Sequence, residues 1–142
     1  MERRGTSACF LICKIGISFA SITFIGFVLS MYSVTARLAD RESLELIARA
    51  IISAIEKTDG CPGELELCGE LPPRAQHFEV LITGERANGL QTIRVCVTSE
   101  AKAERWLVIT SVVNGGDFWL SMEDPREIMV RKTKTISLEL VR

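Results

Sequence analysis

From Ile15 to Ala36 the chain runs twenty-two residues without a charged side chain. As a helix rising about 1.5 Å per residue, the run reaches about 33 Å, enough to cross a hydrocarbon core of about 30 Å. It exceeds the roughly 7–15 apolar residues of a cleavable secretory signal, and no small-x-small cleavage site followed by a loop comes after it. A helical pattern continues instead through Arg37 to about Lys57. One N-terminal membrane helix is therefore expected, with everything after Arg37 on the far side.

Charge sets the expected direction of that helix. Up to Ala36 three basic residues (Arg3, Arg4 and Lys14) stand against one acid, and from Arg37 onward fourteen stand against seventeen. Basic residues stay on the cytoplasmic side of a first membrane helix, so the N-terminus is expected in the cytoplasm and the rest of the chain outside it. The mildly acidic remainder carries no basic stripe, which argues against nucleic acid as a partner. Beyond the helix about 85 residues remain, enough for one small domain.

Within the apolar run Gly16, Ala20, Thr23, Gly26, Ser30 and Ser33 recur at steps of four, three, three, four and three, along one stripe of a helix. Phe19, Ile22, Phe24, Ile25 and Phe27 supply bulk elsewhere. Small-residue stripes let helix backbones approach closely in lipid, so this stripe is expected to pack against like helices. Tyr32 and Arg37 suit an interfacial anchor at the outer end.

From Asp40 to Lys57 the pattern turns amphipathic. Leu44, Ile47, Ala48, Ile51 and Ile55 share one face, while Glu42, Glu45, Arg49, Ser53 and Glu56 lie largely off it. Asp59-Gly60 ends the helix and Pro62 forbids a restart. The remainder reads as antiparallel strands. Phe78, Val80 and Ile82 alternate with Glu79 and Thr83; Asn88-Gly89 offers a tight turn; Ile93, Val95 and Val97 follow. A run from Trp106 to Val113 breaks at Asn114-Gly115-Gly116, read as a hairpin turn into a short strand at Phe118–Met122. Ile128 and Val130, then Ile136, Leu138 and Leu140, supply the tail. The predicted fold class is α+β: a long N-terminal membrane-spanning and amphipathic helix packed on a small antiparallel β-sheet domain of four to six strands. The predicted divisions are a leader at 1–14, the long helix at 15–58 (membrane part 15–36, amphipathic part 37–58) and an extracytoplasmic β domain at 59–142.

The five cysteines fall into three groups. Cys9 and Cys13, at or near the membrane helix, read as small apolar fillers. Cys61 and Cys68 bracket a short Pro-Gly loop on the side predicted to be oxidising, where a disulfide between them is expected. Cys96 sits in an apolar strand pattern as a buried thiol.

No cluster announces a chemistry. His77 is the only histidine, without the further groups that a triad or a histidine-led metal site needs. The Gly115-Gly116 turn precedes a strand rather than a helix and so is no phosphate loop. Glu64, Glu66 and Glu70 alternate with leucine as a solvated face, and Glu123-Asp124 beside Pro125 reads as an ordinary turn. Trp106 and Trp119 are expected in the core or in cross-strand packing. Neither an enzymatic activity, a cofactor, a metal nor a small-molecule substrate is expected.

The order of features nonetheless resembles a known family. A short basic leader, Glu2-Arg3-Arg4-Gly5, meets Thr6-Ser7 and then a long apolar helix, an amphipathic continuation, a loop and an antiparallel sheet. This resembles the type IV pilin-like proteins, particularly the archaeal ones with class III signal peptides. The resemblance implies that a prepilin peptidase recognises Arg3, Arg4 and Gly5 and leaves Thr6 as the new N-terminus, after which the helices bundle into a filament core. Phe10 stands where the bacterial pattern has a glutamate, and Lys14 interrupts the apolar run. Both departures point to a minor or accessory subunit. The expected function is a non-enzymatic, membrane-inserted structural subunit of a cell-surface filament, with the lipid bilayer and like or related subunits as partners. The alternative is a permanently anchored single-pass protein whose β domain binds a ligand or a neighbouring membrane complex.

Overall fold

The computed structural model describes the backbone of residues 3–142 and the side chains of Lys14, Ile15 and residues 17–142. One helix, α1 (Arg3–Gly60), is followed by seven strands: β1 (Leu65–Glu70), β2 (Glu79–Ala87), β3 (Leu90–Thr98), β4 (Lys102–Ile109), β5 (Phe118–Glu123), β6 (Glu127–Lys132) and β7 (Ile136–Val141). The chain divides into two compact units, Met1–Leu38 and Ala39–Arg142. The architecture is α+β, as the alternation of patterns predicts.

The strands form two antiparallel sheets, one in the order β1-β6-β7 and one in the order β4-β3-β2-β5. Leu44, Ile47, Ala48, Ile51 and Ile55 of α1 are all buried and share one core with Val80 and Ile82 of β2, Ile93, Val95 and Val97 of β3, Ile128 and Val130 of β6, and Ile136, Leu138 and Leu140 of β7. The 3.6-residue stripe of the helix thus meets the period-two faces of both sheets, which is how each apolar surface leaves water. At its C-terminal end the helix is tied down by Lys132, whose Nζ donates to the carbonyl oxygens of Asp59 (2.8 Å) and Cys61 (2.7 Å). A cation at helix-terminal carbonyls answers both the unpaired acceptors and the dipole.

Asn88-Gly89 makes the expected tight turn between β2 and β3, with both residues at positive φ (54° and 80°). Two other loops differ from expectation. The residues after Cys61 do not close a loop; they become strand β1, paired with β6 from Leu65↔Lys132 to Glu70↔Glu127. Glu66 and Glu70 alternate with leucine because this is a half-exposed strand, and Glu66 accepts from Arg131 across the pair at 3.1 Å.

Asn114-Gly115-Gly116 is not a hairpin turn either, since β4 and β5 lie at opposite edges of the four-stranded sheet. The connection crosses the sheet, held by the buried side chain of Gln91. Its Nε2 donates to the carbonyls of Val113 (3.1 Å) and Gly116 (2.5 Å), and its Oε1 accepts from the Val113 N–H (2.6 Å). The same segment borders β7: Asn114 N–H donates to Ile136 O, Ile136 N–H to Val112 O, and the Asn114 side chain exchanges two bonds with the Leu138 backbone. One crossover thereby joins the two sheets and covers an edge that would otherwise be open.

Candidate functional site

Two surfaces carry functional potential: the apolar part of α1 and a groove where the chain passes between the two sheets.

Every residue of α1 from Lys14 to Ala39 whose side chain is described is exposed, including Phe19, Ile22, Phe24, Ile25, Phe27 and Leu29. Among the described residues this is one helix long and apolar enough to cross a membrane. Five of its hydroxyls are turned inward onto the helix itself. Ser18, Ser21, Thr23, Ser33 and Thr35 each donate to a carbonyl three or four residues back. Such back-bonding satisfies polar groups without water, which a helix in hydrocarbon requires.

The expected stripe of Ala20, Thr23, Gly26, Ser30 and Ser33 lies on this exposed surface. A Cβ added at Gly26 would meet nothing within 4 Å. Gly16, the leader residues Arg3, Arg4, Gly5 and Thr6, and Cys9 and Cys13 lie outside the residues whose surroundings are described.

Cys61 and Cys68 are free thiols, so the expected bridge is corrected. The reason is β1. An extended strand advances about 3.3 Å per residue, so Cys68 is carried about 10 Å along from Leu65 rather than back towards Cys61. Cys96 is free and buried, as expected, although its strand phase places it on the sheet face with Arg94 and Thr98 rather than on the core face with Val95 and Val97.

The groove has a volume of about 650 Å3 and lies between the β1–β2 connection and the β5–β6 turn, walled by Pro72, Pro73, His77, Phe78 and Pro125. Arg74, almost wholly buried, donates through Nη2 to Gln76 Oε1 (2.8 Å) and pairs with Asp40 of α1. Its Nη1 is buried with no hydrogen-bond partner among the described residues. The 72–78 loop is thus anchored to the first turn of α1 that belongs to the folded unit.

His77 and Asp124, 47 residues apart, meet here with Nδ1 and Oδ2 at 2.5 Å. Asp124 sits at a positive φ of 48° in its turn, and its other carboxylate oxygen accepts the Phe78 N–H at 2.9 Å. The backbone bond from Phe78, followed by the one from His77, holds the Asp124 carboxyl below its ordinary range. The bond to Asp124 raises the His77 imidazole above its ordinary value. Local sequence shows none of this, because neither residue is near the other along the chain.

Ser99 completes the three residue types of a hydrolytic triad, but its hydroxyl donates to the His77 main-chain carbonyl at 2.8 Å rather than to the ring. The arrangement is a loop clamp, not a nucleophile aligned on a base. No group of three or more His, Cys, Asp or Glu side chains able to hold a metal occurs among the described residues.

Trp106 and Trp119 are not core residues, but Trp106 does pack across its strand pair, against Arg94. The two tryptophans are 60% and 71% exposed, on the strands at the two edges of the four-stranded sheet. The Arg94 guanidinium lies 5.2 Å from the Trp106 ring centroid and donates through Nε to Glu104 at 2.5 Å. Bonds from Arg94 and then from Lys102 keep the Glu104 carboxyl below its usual range. Comparison with family models, curated proteins and solved structures gives no match for this chain.

Proposed function

We propose that the chain is a pilin-like, membrane-inserted structural subunit whose apolar helix packs against like helices and whose β domain is presented outside the cytoplasm. The observation that carries this reading is the contrast along α1: an apolar surface exposed on all sides up to Ala39, then a stripe buried by the chain's own sheets. Exposed phenylalanine, isoleucine and leucine over that length call for a nonaqueous partner, and lipid followed by neighbouring helices supplies one. The small-residue stripe gives such helices a close approach. The basic leader and the acidic excess after it support a cytoplasmic N-terminus, and Arg3, Arg4 and Gly5 resemble a prepilin-peptidase motif before Thr6.

The test compares Gly26→Leu with Phe27→Leu in membranes by crosslinking. Both variants stay long and apolar enough to insert, and space around Gly26 within the chain is open, so a leucine there disturbs only an approaching partner. Gly26→Leu is expected to lose most of the crosslinked product and Phe27→Leu to keep it. Equal behaviour would favour the permanently anchored single-pass protein instead.

A further inference from the structure

The outward face of the four-stranded sheet is laid out in straight cross-strand rows. One row runs Trp106 (β4), Arg94 (β3), Thr83 (β2), Trp119 (β5), each residue paired directly with the next. With neighbouring strands about 4.8 Å apart, the two exposed indoles stand about 14 Å from each other. The next row towards the β3–β4 turn runs Glu104, Cys96, Leu81, Ser121, and the one beyond it Lys102, Thr98, Glu79, Glu123.

Charge divides this face down its middle. The β3–β4 half carries Arg94 and Lys102 against Glu104, two bases to one acid; the β2–β5 half carries Glu79, Glu85 and Glu123, three acids and no base. Each half is therefore complementary to the other, and a surface that is complementary to itself is what an isologous dimer requires.

We infer that this face is a docking surface for a second copy of the same chain, related by a two-fold axis parallel to the strands. That axis lays β4 of one copy over β5 of the other. Trp106 then meets the partner's Trp119, Lys102 meets the partner's Glu123, Arg94 meets the partner's Thr83, and Glu104 meets the partner's Ser121. No two like charges are opposed. A two-fold through the tryptophan row but across the strands sets Glu104 against the partner's Val108 and Leu81 against the partner's Glu85, and wastes the division of charge. Aligned packing of two sheet faces about 10 Å apart leaves room for the indoles between them. The inference does not rest on the helix reading, since it holds equally for a permanently anchored chain.

The test is sedimentation of the full chain in detergent micelles at about 10 μM, in a Gly26→Leu background so that helix contacts do not carry the association. Lys102→Glu and Glu123→Lys are each expected to weaken the dimer by about tenfold, and the two together to restore it to within about threefold. Trp119→Ser is expected to weaken it by more than tenfold. Restoration in the double variant shows that the single variants remained folded. A monomeric parent, or a double variant no tighter than its singles, overturns the inference. A monomeric parent whose tryptophan fluorescence shifts on adding a soluble oligosaccharide also overturns it and assigns the face to carbohydrate. Loss of crosslinking on Gly26→Leu in membranes bears on the helix reading alone.

Discussion

The two parts of α1 are one continuous helix under two different conditions. Residues 14–39 leave large apolar side chains uncovered on every side, whereas between Leu44 and Ile55 the apolar side chains at the i, i+3, i+4 positions are fully buried. Polar residues separate the two treatments. The first part has no charge between Ile15 and Ala36, so no face of it is suited to water; the second alternates acids and bases with its stripe, so one face is. Helix propensity cannot distinguish the two parts. What distinguishes them is where the remaining faces find a partner.

The sharpest way to break this comparison is to truncate one isoleucine in each part. Ile51→Ala removes a fully buried side chain from the junction of the helix and the sheets, and is expected to cost about 3–4 kcal/mol in denaturant unfolding of the β domain. Ile25→Ala removes an exposed one and is expected to change that unfolding by less than about 0.5 kcal/mol. Similar losses at both positions would mean that the two parts are not energetically distinct.

The boundary between them can be sharpened at Asp40. It is paired with the nearly buried Arg74, so Asp40→Ala strands a guanidinium and is expected to cost about 3 kcal/mol. Five residues on, Glu45 pairs with Arg105 at the surface, and Glu45→Ala is expected to cost less than about 1 kcal/mol. Thermal unfolding of the two variants measures the difference. At the other end of the helix, Lys132→Met keeps the packing of the stem but removes two bonds to the terminal carbonyls, with an expected cost of about 1 kcal/mol.

The smallest effect is that of pH on the groove. The folded His77 titrates above its ordinary 6.5, so its bond to Asp124 contributes fully below about 6.5 and is lost as pH rises through the raised value. Asp124 titrates below its ordinary 3.8, so its contribution is present above that value and is lost as pH falls through the lowered one. The clamp is strongest between these limits. An NMR titration should place His77 above 6.5 in the native chain and lower in Asp124→Asn; no change between the two would remove Asp124 as the cause.

Where the sequence was legible, the signal was local. The uncharged run, the stripe from Leu44 to Ile55, the alternation in β2, β3 and β7, and the Asn88-Gly89 turn all declare themselves within a few residues. The features that were missed depend on pairing between distant segments. Glu66, Leu67 and Cys68 alternate as a strand, but only β6, some sixty residues later, gives that strand an edge to join. The Asn114 loop has the composition of a hairpin turn, and its real course depends on Gln91 and β7. Trp106 and Trp119 follow the strand period correctly; their phase, set by Ala103 and Ile109 on β4 and by Phe118, Leu120 and Met122 on β5 packing on the core, turns them outward. His77 and Asp124 meet only because the β1–β2 and β5–β6 connections pass each other.

The central claim is that the first part of α1 is covered by lipid and sister helices while the second belongs to the folded domain. Protease treatment of sealed membranes carrying the protein, opened to the extracytoplasmic side, tests it most directly. The account predicts that the β domain is digested or released, while a fragment containing residues 15–36 stays in the membrane after alkaline carbonate extraction. Release of the intact chain by carbonate, or protection of the β domain with residues 15–36 cut, would contradict it.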